Sequence, residues 1–353
     1  MNPEPVPIPT RGAASNPPNR FERIQLERDA DWNPEEDPLP TTQFFKDHSR
    51  TIIAYNDSPD IPFEANINPY RGCEHGCVYC YARPFHEYLG FSSGLDFETK
   101  IMVKEDAPML LRAELSSPKW RPKVLAMSGV TDPYQPVERR LKITRGCLEV
   151  LADFRNPVSI VTKNQLVTRD IDLLVELARH HAAAVCISLT TLDTELRKVM
   201  EPRTAPPAAR LATIKALAEA GIPVGVLIAP VIPGLNDHEI PLLVQAAVAV
   251  GARCAGHVTL RLPHAVAPLF EQWLEHHFPN QKEKILSRLR AMRDGKLYEA
   301  KFGRRMHGEG ILADQIDQLF DVACRKAGIA ENEPDLSTDH FRRRETGQPE
   351  LFC

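Results

Sequence analysis

Three cysteines, Cys73, Cys77 and Cys80, fall within eight residues of one glycine-bearing run, Asn68-Pro69-Tyr70-Arg71-Gly72-Cys73-Glu74-His75-Gly76-Cys77-Val78-Tyr79-Cys80. Thiolates are soft ligands suited to iron, and the spacing C-x3-C-x2-C on a loop with Gly72 and Gly76 lets three sulfurs converge on one face of a small inorganic cluster. No fourth cysteine lies nearby. A 4Fe-4S cube with three protein ligands keeps one iron open, as catalytic metals keep an exchangeable position that structural metals fill. The alternative is a Cys3His zinc knuckle completed by His75 or His86, although zinc sites usually pair separated ligand couples.

Such a loop needs a scaffold that holds it at the end of a strand. From about residue 61 the sequence repeats apolar strand, turn and amphipathic helix, the signature of parallel βα units. Strands are expected over 63–68, 123–128, 158–163, 184–190, 222–231 and 257–262, and helices over 110–115, 138–154, 170–181, 207–220 and 237–250. Six strands suit a partial (β/α)6 TIM-like barrel, α/β in class. The expected domains are a Pro-rich, extended and partly disordered arm over 1–60, the barrel over 61–264, and a C-terminal extension over 265–353. That extension has helices over 265–277, 282–293 and 310–327 and a polar tail.

Parallel α/β folds gather their active sites at the carboxyl ends of strands, because the following loops converge there. Two cations stand at such ends, Lys163 and Arg261; each can meet an anionic ligand or close a salt bridge at the rim. On the fourth strand Cys186, Ser188 and Thr190 alternate with Val185, Ile187 and Leu189, so the small polar face should point into the barrel. After the second strand, Ser128-Gly129-Val130-Thr131-Asp132 offers either a close backbone approach to a ligand or an ordinary Gly-Asp-Pro turn.

A length of 353 residues with 43% hydrophobic and 25% charged content supports one large domain with appended segments. The formal charge of -4 gives no general attraction to nucleic acid or anionic membrane. Eight cysteines are too few for a disulfide scaffold, no apolar run reaches membrane-spanning length, and the first thirty residues carry no signal-peptide pattern. A cytoplasmic location without membrane attachment is expected.

The cysteine loop after the first strand, with an aromatic, Tyr79, before the last cysteine, resembles the radical SAM superfamily. Asn68 to Cys73, the run Thr131-Asp132-Pro133-Tyr134-Gln135-Pro136-Val137-Glu138, Ser58 to Phe63 and Leu260 to Pro263 resemble relatives of spore photoproduct lyase across nearly the whole chain. The resemblance implies a 4Fe-4S cluster on Cys73, Cys77 and Cys80 and S-adenosylmethionine chelated to the open iron. It also implies reductive cleavage of that cofactor to a 5'-deoxyadenosyl radical, with an electron donor such as flavodoxin or ferredoxin. Tyr79 would pack on the adenine; one of Ser128, Thr131 and Asp132 would meet the amino group, with Gly129 permitting close backbone approach; Ser188 and Thr190 would meet the ribose, and Lys163 and Arg261 the carboxylate or a substrate anion. Glu201-Pro202-Arg203 continues the resemblance with no role assigned.

A nucleobase or nucleic-acid lesion is the implied substrate class. Spore photoproduct lyase uses a cysteine as hydrogen donor, however, and here no cysteine lies between Cys80 and Cys147, which falls inside an expected helix. A zinc-containing nucleic-acid binding protein is the competing class. A third feature is the tail Gln348-Pro349-Glu350-Leu351-Phe352, similar to peptides that dock on the replication sliding clamp; Leu351 and Phe352 would be its apolar anchors.

Overall fold

The computed structural model describes residues 7–22, 40–329 and 335–343. Its strands are β1 (Gln43–Lys46), β2 (Ile53–Tyr55), β3 (Ala65–Ile67), β4 (Tyr70–Arg71), β5 (Lys100–Val103), β6 (Leu125–Met127), β7 (Val158–Thr162), β8 (Ala183–Ser188), β9 (Val224–Val231) and β10 (Cys254–Thr259). The large sheet runs β10-β9-β8-β7-β6-β3-β2. β3, β6, β7, β8, β9 and β10 are parallel and adjacent in chain order, and β2 adds one antiparallel edge strand. This is the partial barrel of six βα units.

The alternation on β8 sorts as its pattern dictates. Val185, Ile187 and Leu189 enter the main core between sheet and helices, while Ser188 and Thr190 are buried outside that cluster. The helix Ile143–Phe154 buries Cys147, Leu148, Leu151 and Phe154 completely against the same core, each large apolar side chain contributing about 1.5–3 kcal/mol. The last strand lies three residues earlier than its apolar residues suggest. Cys254, Ala255 and Gly256 have weak strand propensity, but they pair because β9 presents Gly225, where a Cβ would stand 2.4 Å from Sγ of Cys254.

One expectation is corrected. The helix expected over 138–154 breaks into Glu138–Leu141 and Ile143–Phe154, with Lys142 left-handed at φ 56°. The break lets the Glu138 carboxylate fold back and accept from Thr144 N at 3.0 Å and Arg145 N at 3.4 Å, satisfying donors at the second helix's start. The expected N-terminal arm carries two short strands among its described residues. β1 pairs with β5 in a separate three-stranded sheet with β4, and β2 pairs with β3. The helix Thr194–Met200, capped by Asp193, also went unread.

Residues 303–306 link the two edges of the open barrel. At the β10 edge Met306 O accepts from Thr259 N at 2.8 Å; toward the β2 edge Gly303 N and Arg305 Nε donate to Asp60 at 2.8 and 2.7 Å. The helix Ile311–Ala327 then packs on Ile240–Ala249. Residues 335–343 return to the strands' amino ends, where Ser337 N donates to His181 O and Arg342 N to Phe154 O. The clamp-like tail lies outside the described residues, among which no helix is long and apolar enough to cross a membrane.

Candidate metal centre

Cys73, Cys77 and Cys80 sit on the loop that leaves β3 and β4, the first two buried and the third half-buried, and none is in a disulfide. Gly72 and Gly76 turn the loop with φ of 78° and 66°, which a side chain would strain. Burial raises the Cys77 thiol above its usual range, and Glu201 and the other two cysteines add to this. Burial, then Cys73, pushes Cys80 up to about 11. Three free thiols on one tight, largely buried turn are soft sulfur donors with no fourth cysteine beside them in the sequence, a donor set that fits an iron–sulfur cluster with one iron open.

Three groups of side chains fix the loop. Beneath it, the fully buried Arg83 donates to Cys77 O at 3.0 Å, Gly76 O at 3.3 Å and Glu98 Oε1 at 2.6 Å. Glu98 also accepts from Gly12 N and Ala13 N at 3.1 and 2.8 Å, tying the N-terminal residues to the underside of the loop. The approach is backbone to backbone. A Cβ on Gly12 would stand 1.7 Å from Gly76 O.

Along one flank runs Thr131 to Glu138, whose polar groups grip the cysteine loop. Thr131 Oγ1 donates to Gly72 O at 2.9 Å and Gln135 Nε2 to the same oxygen at 3.3 Å, while Glu74 N donates to Gln135 Oε1 at 2.9 Å. Val137 N donates to Glu74 at 2.7 Å, and Tyr70 OH to Glu138 at 2.5 Å. Asp132 lies 3.3 Å from Nδ1 of His75 and accepts from Tyr134 N, Thr162 Oγ1 and Lys163 N at 2.7–2.8 Å. Burial would lift this carboxyl, but His75 and those donors hold it below the usual range.

On the other flank Glu201 is a fully buried hub. It accepts from Tyr79 OH, Arg210 and, at 2.7 Å, Thr190 Oγ1, with Lys163 Nζ at 4.0 Å. Burial alone would raise its pKa, but Arg210, Lys163 and the two hydroxyls hold it at about 2. Tyr79 is therefore a buried residue bonded to Glu201, in the second apolar cluster with Leu196 and Met200.

The exposed aromatic of the loop is Tyr81, 42% accessible, whose hydroxyl donates to Gly129 O at 2.5 Å and whose ring lies 5.1 Å from the Arg261 guanidinium. The structure thus brings the expected residues together in two groups. Gly129 and Arg261 meet at the mouth around Tyr81, and Lys163 and Thr190 meet Tyr79 through Glu201. Ser188 is buried on β8, its carbonyl accepting from Arg210 at 3.0 Å, and Ser128 is half-buried at the end of β6. His75 is engaged by Asp132 and, at 3.1 Å from its Nε2, by Asn164. The supports Arg83, Glu98, Gln135 and Arg210 escaped sequence reading; Arg83, a cation between cysteines and Pro84, was the one signal available, since arginine is seldom buried unpaired.

A sequence profile of the radical SAM superfamily matches residues 67–247. An uncharacterized protein of Mycobacterium tuberculosis is 40% identical over 235 residues, 66% of this chain and 68% of its own. An uncharacterized protein of Methanocaldococcus jannaschii is 34% identical over 173 residues, 49% of this chain and 62% of its own. Among solved structures, spore photoproduct lyase complexed with dinucleoside spore photoproduct superimposes with a TM-score of 0.57 at 16% identity, covering 80% of this chain and 79% of that one, which is a likeness of fold. The profile spans the cysteine loop and the four parallel strands β6 to β9, and with the curated relative it establishes that the chain belongs to the radical SAM superfamily, as an enzyme whose cofactors are a 4Fe-4S cluster and S-adenosylmethionine.

Proposed function

We propose that Cys73, Cys77 and Cys80 hold the cluster and that the enzyme cleaves S-adenosylmethionine reductively at the mouth formed by Gly129, Tyr81 and Arg261. The carrying observation is the cysteine loop itself, three free thiols gripped from beneath and from both flanks. When bound, the cluster supplies one electron that breaks the sulfonium C5'–S bond, leaving methionine and a 5'-deoxyadenosyl radical. Arg83 ties down the Gly76 and Cys77 carbonyls, and Glu98 holds Arg83 in place. Ser128 and the Gly129 backbone would receive a polar group of the cofactor, and Gly129 has φ 119°, a conformation that a side chain would strain.

Arg261 supplies positive charge toward an anionic group, Lys163 adds to it while also donating to Ala229 O at 3.4 Å beside Glu201, and Ser188 lies on the polar side of β8. Asp132, Thr190 and Tyr79 are best read as positioning residues, because their polar atoms already bind protein partners. The reductant is an electron carrier such as flavodoxin or ferredoxin. The substrate reading is a nucleobase or nucleic-acid lesion, in keeping with the fold shared with spore photoproduct lyase; Cys147, fully buried in the core, is out of reach as a hydrogen donor. Docking of Gln348 to Phe352 on a sliding clamp is a separate proposal, tested by clamp co-purification with and without residues 348–353.

The test is Cys77→Ala, purified anaerobically beside wild type and Cys324→Ala. Cys77→Ala is expected to lose the cluster's iron and all 5'-deoxyadenosine formation under reduction with S-adenosylmethionine, while Cys324→Ala keeps both. Full iron and product in Cys77→Ala would overturn the assignment.

A further inference from the structure

On the outer face of the barrel, remote in chemistry from the thiols, three other ligand-type side chains converge. His257 is on β10, His307 on the connection that follows residues 303–306, and Asp317 on the helix Ile311–Ala327. Nε2 of His257 lies 2.8 Å and Nδ1 of His307 3.3 Å from the same oxygen, Oδ1 of Asp317, and all three ligand atoms are within 4.8 Å of one another. We propose that His257, His307 and Asp317 form a second metal site that takes one divalent transition-metal ion of the zinc class.

Imidazole nitrogens and a carboxylate oxygen are the borderline-hard donors that zinc accepts, at about 2.0–2.2 Å each, and three protein ligands leave a position for water. The separations already match a shared ion to within small side-chain rotations, which Asp317, 41% exposed, is free to make. Hydrogen bonding alone leaves the group incomplete. The Nδ1 atom of His307 is buried without a hydrogen-bond partner among the described residues, although it lies 3.3 Å from Asp317 Oδ1. The His257 ring is held in place at 4.3 Å from Phe320 and edge-on to His307 at 4.8 Å. Asp321 follows Asp317 by four residues on the same helix and adds negative charge toward the site.

The consequence is mechanical. His307 directly follows Arg305 and Met306, which bind Asp60 and Thr259 and place a sulfur 3.5 Å from Arg261 Nη1. An ion here would pin the strap that joins the two edges of the open barrel. It stands independently of the cysteine centre, because its donors contain no thiol.

The experiment uses full-length, anaerobically purified protein with its iron in place, dialysed against zinc sulfate, then analysed for iron and zinc by mass spectrometry with thermal denaturation in parallel. Wild type is expected to hold one zinc per chain with iron unchanged, and to melt about 3 °C higher at a hundredfold excess of zinc over its dissociation constant. Cobalt chloride in place of zinc should give the visible absorption of a low-coordinate nitrogen–oxygen site. His307→Ala, at a side chain 43% exposed, should fold, keep its iron, and lose both the zinc and the thermal response. Asp317→Asn should behave alike. Equal zinc content and thermal response in wild type and His307→Ala, or zinc taken up only where iron is lost, would overturn the proposal.

Discussion

At the scale of single residues, Glu201 decides the most. Its carboxylate joins Tyr79 of the cysteine loop, Thr190 after β8 and Arg210 of the helix Pro207–Glu219, with Lys163 nearby. Removing one partner of a buried pair leaves the other charge uncompensated, at about 3–5 kcal/mol. Glu201→Gln is therefore expected to be less stable than wild type at pH 7 by about 3 kcal/mol in urea melts, with Arg210 stranded. The pH dependence has a definite sign. The folded value near 2 lies below the ordinary 4.5, so the group's stabilisation is fully present above pH 4.5 and is lost as pH falls toward 2. Between those limits the wild type should lose its advantage over Glu201→Gln; a constant difference would remove Glu201 from this role.

At the scale of elements, the N-terminal residues 7–22 act as part of the cluster loop's floor. Gly12 and Ala13 donate to Glu98, which also binds Arg83, and Gly12 lies against Gly76 with no room for a methyl group. Gly12→Ala is expected to expel this segment and loosen the loop without touching a cysteine. The measurable outcome is iron loss to a chelator several times faster than from wild type, with unchanged circular dichroism. Equal rates would show that the contact is incidental to the loop. The run Thr131 to Glu138 teaches the same lesson from the flank, since most of its polar groups bind the cysteine loop or the break before Ile143.

At the scale of the molecule, a six-stranded barrel leaves two sheet edges that must be managed. Here β2 covers one, and the strap of residues 303–306 ties β10 to Asp60 in the β2–β3 connection. Asp60→Ala removes the acceptor for both Gly303 N and Arg305. Limited trypsin digestion should then cut within residues 296–309 sooner than in wild type, at the arginines and lysines there, while the barrel core resists. An unchanged cutting pattern would mean that the strap holds without Asp60.

Periodicity and ligand spacing are local properties, and they were legible in the chain alone: the three cysteines, the glycines that turn their loop, and five of the six parallel strands near their observed positions. What depended on partners distant in sequence was not. Tyr79 is expected against the adenine from the family resemblance alone; that a glutamate 122 residues away holds its hydroxyl is something only the fold could supply. Asp132 and Thr190 read as available polar groups until the fold supplied donors and acceptors for them. Burial of Arg83 against Glu98, and the seating of Gly12 on Gly76, join segments that no pattern within either one connects. Side-chain type and spacing state what chemistry a segment can do, but which polar atoms remain free to do it is decided by tertiary hydrogen bonding, because each donor or acceptor claimed by the fold is withdrawn from the site.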